Sequence, residues 1–321
     1  MRLGRGVAAA VVIPATSLAA MRFLRTSEAR VSTGPHPAAP RLRGHVETLA
    51  GTIGERNLWH HDALTRAADY ITAQLLAWGY SPEAQTFHVS GTGVSNLDAT
   101  LMGTSRREDI VVVGAHYDSI AGCPGANDNA TGVAAMLELA QRFARTPRSR
   151  TIRFAAFVNE EPPFFQTGNM GSVVYANAAR ARGDRVVGML SLETMGYYSD
   201  EKGSQQYPAA VARLYPDVGN FIALVANVAS ARLLMTARRA FKARTPFPVQ
   251  FAAVPAAIPG VGWSDHWAFW QAGYAAMMVT DTAPFRYPWY HTASDTPDKI
   301  NYEKLAQVVD GLGAVIESLA R

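Results

Sequence analysis

The chain has one cysteine, Cys123, among its 321 residues. A single thiol excludes an internal disulfide and any thiolate-rich zinc cluster, so a metal site would have to be built from histidines and carboxylates. Charge of one sign is never concentrated. The 30 Lys and Arg and the 26 Asp and Glu leave a net +4, with no block of five or six like charges. Nucleic-acid recognition ordinarily needs a clustered basic face, so nucleic acid is not an expected partner. No internal repeat or low-complexity domain is present, and no Gly-x-Ser-x-Gly elbow surrounds Ser119, which therefore reads as a loop serine. A long apolar run is missing too: residues 6–21 are uncharged but interrupted by Pro14, short of the roughly 20 residues that span a bilayer. With Arg2 and Arg5 ahead of that run and Ser17, Ala19 and Ala20 at its end, residues 1–21 read as a signal peptide. An uncleaved N-terminal anchor is the runner-up and an ordinary first helix the plainest alternative. The expectation is an exported protein, periplasmic or extracellular, with the membrane a partner only if that anchor is retained. Residues 22–42, rich in Pro, Ser, Thr and Gly, read as a linker.

What is present is the composition of a folded body, with 48% hydrophobic and 17% charged residues. The stretch "NLWHHDALTRAADYITAQLLAWGY" carries apolar residues at helical spacing and stops at Gly79. Its His60 and His61 are adjacent, so they leave a helix in different directions and take no shared chemistry. "AQTFHVS" and "NLDATLMG" have strand character, "DIVVVGAHYD" is a buried strand, and "ATGVAAMLELAQRFAR" places Val133, Met136, Leu137, Ala140 and Phe143 on one helical face. "TIRFAAFVNEE", "VVGMLSLETMGYY" and "GYAAMMVTDTA" are further apolar strands. Strands alternating with helices predict the α/β class: a single globular domain at residues 43–321, with a mainly parallel central sheet flanked by helices.

In an open α/β sheet, ligands bind beyond the carboxyl ends of the strands. His116, Glu160, Glu161 and Glu193 all follow apolar strands, and Asp128 sits in the loop after the first of them. Later stretches supply Asp265 and His266 in "WSDHWAFW", and His291 and Asp295 in "YHTASDTPDKI". Singly, each has an ordinary explanation. Asp128 could cap the helix starting near Ala130, Asp295 could cap the turn near Pro297 or orient His291, and the paired glutamates could be a solvated strand end. Their joint recurrence at strand ends is the informative feature, because neighbouring glutamates repel unless a cation or a shared proton compensates them. Imidazoles mixed with carboxylates suit zinc, with manganese or cobalt as substitutes.

The segments "GAHYDS", "GANDNATGVAAMLELA", "NEEP", "LSLETMGY", "SDHWAFW" and "YHTASDTPDKIN" occur in one order over roughly residues 111–301. In that order they resemble the co-catalytic dizinc aminopeptidases, the family of secreted bacterial leucyl aminopeptidases whose fold also serves glutaminyl cyclases and several carboxypeptidases. The resemblance implies a zinc-aminopeptidase-like fold and two Zn2+ ions, generally about 3.5 to 4 Å apart in such sites. It implies that His116 and Glu193 bind one ion, Glu161 and His291 the other, and that Asp128 bridges both. Glu160 would be the general base acting on a water between the ions, and Asp118 would accept the second ring N–H of His116. The implied substrates are the N-termini of peptides or proteins.

Three features depart from the family pattern. Glutamate stands at 193 where many relatives have aspartate. "PPFFQTGNMGS" is longer and more aromatic than the usual Gly-rich turn, with Phe164 and Phe165 open to either a pocket wall or core packing. A chain with only Cys123 also lacks the disulfide of some secreted relatives. A glutaminyl cyclase-like acyltransferase and a noncatalytic peptide-binding ectodomain are the alternatives, although the ectodomain reading sits poorly with an intact ligand set. Aromatics from Trp263 to Tyr290 suggest an apolar pocket, a weak indication of bulky N-terminal residues. Side-chain preference, native metal and oligomeric state are not written in the sequence.

Overall fold

The computed structural model describes residues 34–209 and 212–321, so the expected signal peptide or anchor lies outside the described residues. Helix α1 (Ala39–Val46) opens with a proline in its first turn, where the missing N–H has no intrahelical partner to lose. Leu42 and Val46 are fully buried, so the packed body starts inside the stretch that reads as a linker. Helix α2 (His61–Ala77) buries Leu64, Ala67, Ile71 and Leu75 at three- and four-residue spacing, and Gly79 follows with φ +89°. His60 lies 3.3 Å from Glu55 and His61 contacts the Gly93 carbonyl at 3.0 Å, so the two imidazoles do diverge.

Strands β1 (Glu83–Val89) and β2 (Thr92–Leu101) form a hairpin. Its two turn residues, Ser90 and Gly91, both take positive φ, the backbone hand that suits a tight hairpin. Then come β3 (Arg106–His116), α3 (Thr131–Phe143), β4 (Arg150–Phe157), α4 (Gly171–Ala181), β5 (Arg185–Glu193), β6 (Ile222–Ala226), α5 (Ala231–Arg244), β7 (Val249–Ala253), α6 (His266–Gln271), β8 (Ala276–Thr280) and α7 (Tyr302–Leu319). They build one eight-stranded sheet in the order β1-β2-β4-β3-β5-β8-β6-β7. The centre, β4-β3-β5-β8, is parallel, while β2 and β6 join it antiparallel.

Both faces of the sheet are covered, which is why its strands read as continuous apolar runs. Val111, Val113 and Ala115 enter a core shared with α1, α3, α5 and α7, whereas Ile110 and Val112 face a second cluster under α4 and α6. Helix α3 is buried nearly all round rather than on one face, because α1 and α7 pack over its outer side. Glu138 is thereby caught inside and is held by two bonds from Arg41, at 2.6 and 2.9 Å. His116 stands opposite Phe157, Gly114 opposite Ser191, and Glu193 opposite Thr280. The carboxyl ends of four parallel strands therefore reach one level, and the polar residues that follow them meet there. No helix among the described residues is long and apolar enough to cross a membrane.

Candidate metal centre

His116 ends β3, Glu193 ends β5, and Glu160 with Glu161 lies just beyond β4. The loop after β3 returns Asp128 to this level, and the turn before α7 brings His291. Asn159, Thr194 and His291 all adopt left-handed φ, at +59°, +40° and +57°. A non-glycine residue seldom takes that conformation without compensation, and here each occurrence is at, or next to, an acid or imidazole of the cluster.

The cluster has two halves. His116 Nε2 lies 3.2 Å from Asp128 Oδ1 and 3.3 Å from Glu193 Oε2, with Glu160 Oε2 at 3.8 Å. His291 Nε2 lies 3.1 Å from Asp128 Oδ2 and 3.3 Å from Glu161 Oε2. Asp128 thus shows one oxygen to each imidazole, the arrangement a carboxylate shared by two cations requires. His116, Asp128 and Glu161 each offer a ligand atom within 4.8 Å of the other two.

The donor set fits metal. His116 Nε2, Asp128 Oδ1 and Glu161 Oε1 are buried without a hydrogen-bonding partner: the imidazole nitrogen approaches two carboxylates but is aligned to bond neither. Burial raises Glu160 well above the usual carboxylate range, with Glu193 and Glu161 adding to the effect. Burial and the neighbouring Asp128 push Glu161 up to about 7. Burial alone would depress the imidazoles, yet the surrounding carboxylates hold His116 well above its ordinary value and His291 at about 10. Such a surplus of buried negative groups needs compensating positive charge, and zinc, bound readily by imidazole and carboxylate together, can supply it.

Asp118 accepts from the backbone N–H groups of Glu160 and Glu161, each at 3.2 Å, and lies 3.5 Å from His116 Nδ1. It therefore ties the end of β3 to the glutamate pair as well as facing the ring. Asp128 caps no helix: α3 begins at Thr131 without a side-chain cap. Instead the loop carrying Asp128 is fastened on every side. Asp295 accepts from the N–H groups of Asn127 at 2.7 Å and Asp128 at 3.1 Å, and from the Tyr287 hydroxyl at 2.7 Å. It neither caps the Pro297 turn nor contacts His291, and this bracing of Asp128 is a role the sequence did not disclose. Asn129 donates to Leu192 O at 2.8 Å and accepts from Thr194 N–H at 3.0 Å, while Asn127 accepts from Gly196 N–H at 2.8 Å. These bonds bolt the loop to the end of β5. At Gly132 a Cβ would stand 2.3 Å from Leu192 O, so only glycine permits this approach.

Arg56 is fully buried and contacts no carboxylate. It donates to the carbonyls of Tyr117 at 2.6 Å and Gly125 at 2.9 Å, among others, and so clamps both ends of the same loop. Ser264 donates to Glu193 Oε2 at 2.7 Å. Asp265 is buried beside this group with neither carboxylate oxygen hydrogen-bonded. Cys123 is a buried loop residue, its Sγ 4.0 Å from Asp295 Oδ2. Beside Glu193 and Tyr290 opens an apolar cavity of about 110 Å³ walled by Tyr207, Tyr215, Phe221, Phe251, Trp263 and Phe285. Of the late aromatics named from the sequence, Trp263 and Tyr290 line this cavity, while Phe269 packs in the core with Trp267 and Trp270 against it.

Residues 96–316 match the sequence profile of Peptidase family M28. The uncharacterized protein YfbL of Escherichia coli (strain K12) is 36% identical over 290 residues, which cover 88% of each chain. Aminopeptidase YwaD of Bacillus subtilis (strain 168) is 29% identical over 221 residues, 66% of this chain and 41% of that protein. Among solved structures, an aminopeptidase from Aneurinibacillus sp. strain AM-1 superposes with a TM-score of 0.69 at 19% identity, covering 88% of this chain and 94% of that one. A glutaminyl cyclase from Fimbriiglobus ruber does so with a TM-score of 0.64 at 20% identity, covering 90% and 99%. These two likenesses establish a shared fold. With its profile match spanning most of the chain and YfbL similar along nearly the whole length, the protein belongs to peptidase family M28 and is a metal-dependent peptidase.

Proposed function

We propose that the protein is an exopeptidase that removes N-terminal residues from peptides. His116 and Glu193 would hold one zinc ion, Glu161 and His291 a second, and Asp128 both. The observation that carries the reading is Asp128, whose two oxygens each face a different imidazole at 3.1–3.2 Å. Two zinc ions bound there would supply an acidified water and charge stabilisation for the developing oxyanion, with Mn2+ or Co2+ as candidate substitutes.

The chain's own groups do the rest. Glu160 stands at the His116 half, its Oε2 3.8 Å from His116 Nε2 and so farther out than the Asp128 and Glu193 oxygens at 3.2 and 3.3 Å. Its burial raises the proton affinity of the carboxylate, which suits it to take a proton from the attacking water and return one to the leaving amine. Asp118, bonded to the N–H groups of Glu160 and Glu161, fixes the base relative to the ligands. The cavity beside Glu193 would receive the first side chain of the substrate, with bulky apolar residues favoured by its walls. Among the described residues no Lys, Arg or His lines it. Arg286 is buried, bonded through Nε to Gln205 Oε1 and through Nη1 to Phe221 O, each at 2.7 Å, and does not line the cavity. A free ammonium is therefore better suited than a free carboxylate to this surplus of acids.

The test is E160Q. The variant should retain two zinc ions per chain by elemental analysis and lose about 10²- to 10⁴-fold in kcat. Full activity in E160Q would contradict the assignment. A second reading, cyclisation of N-terminal glutamine, is favoured by the likeness to a glutaminyl cyclase. Release of ammonia from glutaminyl peptides without hydrolysis would transfer the conclusion to it.

A further inference from the structure

Between β4 and α4 the chain makes an aromatic loop, "PPFFQTGNM", that the metal cluster does not use. The loop is well tied. Phe164 N–H donates to Glu161 O at 3.0 Å, Thr167 N–H to Phe164 O at 2.9 Å, and Met170 N–H to Thr167 O at 3.2 Å. Gln166, at φ +57°, donates through Nε2 to Gly262 O at 3.1 Å. The loop therefore starts on the main chain of one cluster residue and is fastened at its middle to the turn carrying Trp263.

Trp59 stacks on Phe164 with ring centroids 5.9 Å apart and planes 22° from parallel, yet it remains 59% exposed. Its own turn is anchored beside Asp118. Asn57 Oδ1 accepts from the N–H groups of Trp59 and His60 at 3.1 and 3.2 Å, and Asn57 Nδ2 donates to Ser119 O at 3.1 Å. An indole on an anchored turn, stacked on one ring and with most of its surface in water, presents an apolar face to a partner.

The two ends of the cluster fix what that partner is. The walls of the apolar cavity include Glu193 but neither Glu161 nor a residue of the stack, whereas Phe164 is bonded through its main chain to Glu161, in the other half of the cluster. A peptide whose first side chain fills the cavity, with its scissile carbonyl at the cluster, continues toward Glu161. Resting on the aminopeptidase reading, we propose that the Trp59–Phe164 stack binds the side chain of the residue following the scissile bond and selects for an aromatic one there. Trp59 is then a specificity-determining residue contributed by a part of the chain remote from the metal ligands.

Steady-state hydrolysis of leucine amide, Leu-Gly and Leu-Phe by the zinc-loaded enzyme, read as free leucine, tests this. The wild type should favour Leu-Phe over Leu-Gly in kcat/KM by about tenfold, the scale of one aromatic contact. W59A should abolish that preference, chiefly through KM for Leu-Phe, and W59F should keep it. An unchanged Leu-Phe to Leu-Gly ratio in W59A would overturn the proposal, as would an equal loss on all three substrates, the mark of a merely structural residue. Absence of zinc-dependent leucine release from every substrate, wild type included, would overturn the aminopeptidase reading together with it.

Discussion

Asp128 faces two imidazoles from a loop that Asp295 braces from behind. The carboxylate of Asp295 accepts two consecutive backbone N–H groups from the Asp128 loop, from a position 167 and 168 residues away in the chain. In D295N one oxygen becomes an amide donor facing backbone N–H groups, so part of that brace turns repulsive. Apparent zinc affinity, measured by competition with a chromogenic chelator, should fall about 10- to 100-fold, the usual cost of removing a group that orients a metal ligand. Zinc binding as tight as in the wild type would show that the brace is dispensable. That separation also explains why the sequence offered Asp295 as a cap or as a residue orienting His291, and not as the brace of Asp128. In the sequence it is one polar residue in a loop of several, and its partners are main-chain atoms that carry no side-chain signature. His116, Glu160, Glu161 and Glu193 were legible as a group because each follows an apolar strand, and such strands end at one level in a parallel sheet.

At the scale of elements, α1 and α2 meet around His45, whose Nδ1 lies 2.7 Å from the Tyr70 hydroxyl and whose ring stands edge-on to Tyr70 and Trp78. Burial lowers this imidazole to about 4. The unfolded chain binds the proton near pH 6.5 and the folded one only near 4, so the contribution of neutral His45 is complete above pH 6.5 and is lost as the pH falls toward 4. The difference corresponds to about 3 kcal/mol over that window. Urea unfolding of the chelated protein should therefore weaken more steeply between pH 6.5 and 4 than unfolding of chelated H45Q. Parallel stability curves would show that His45 is not held neutral by this packing. Element by element, the sequence showed α2, α3 and the strand character of β1 and β2 through apolar period, while the pairing of β1 with β2 through the Ser90–Gly91 turn came from the structure. Strands β6 and β7, five residues each, end in Ala226 and Ala253 and carry none of the acids or imidazoles that marked other strand ends. The full burial of α3 was hidden because α1 and α7, which cover it, come from distant segments.

At the scale of the whole molecule, one sheet gathers the acids of several strands and loops into a single buried cluster, so folding and metal binding should be coupled. Zinc that binds the folded chain alone, at about a thousand times its dissociation constant, adds about 4 kcal/mol, on the order of 10 °C in Tm for a domain of this size. Chelation should lower Tm by that order and zinc should restore it. An unaltered Tm with no zinc in the purified protein would leave the cluster without its cation. The most direct measurement is mass spectrometry of products from matched peptides with free and acetylated N-termini, before and after chelation and after zinc return. The expected result is stepwise loss of residues from the free N-termini alone, abolished by chelation and restored by zinc. Equal cleavage of acetylated peptides, or activity indifferent to metal, would contradict a two-zinc aminopeptidase.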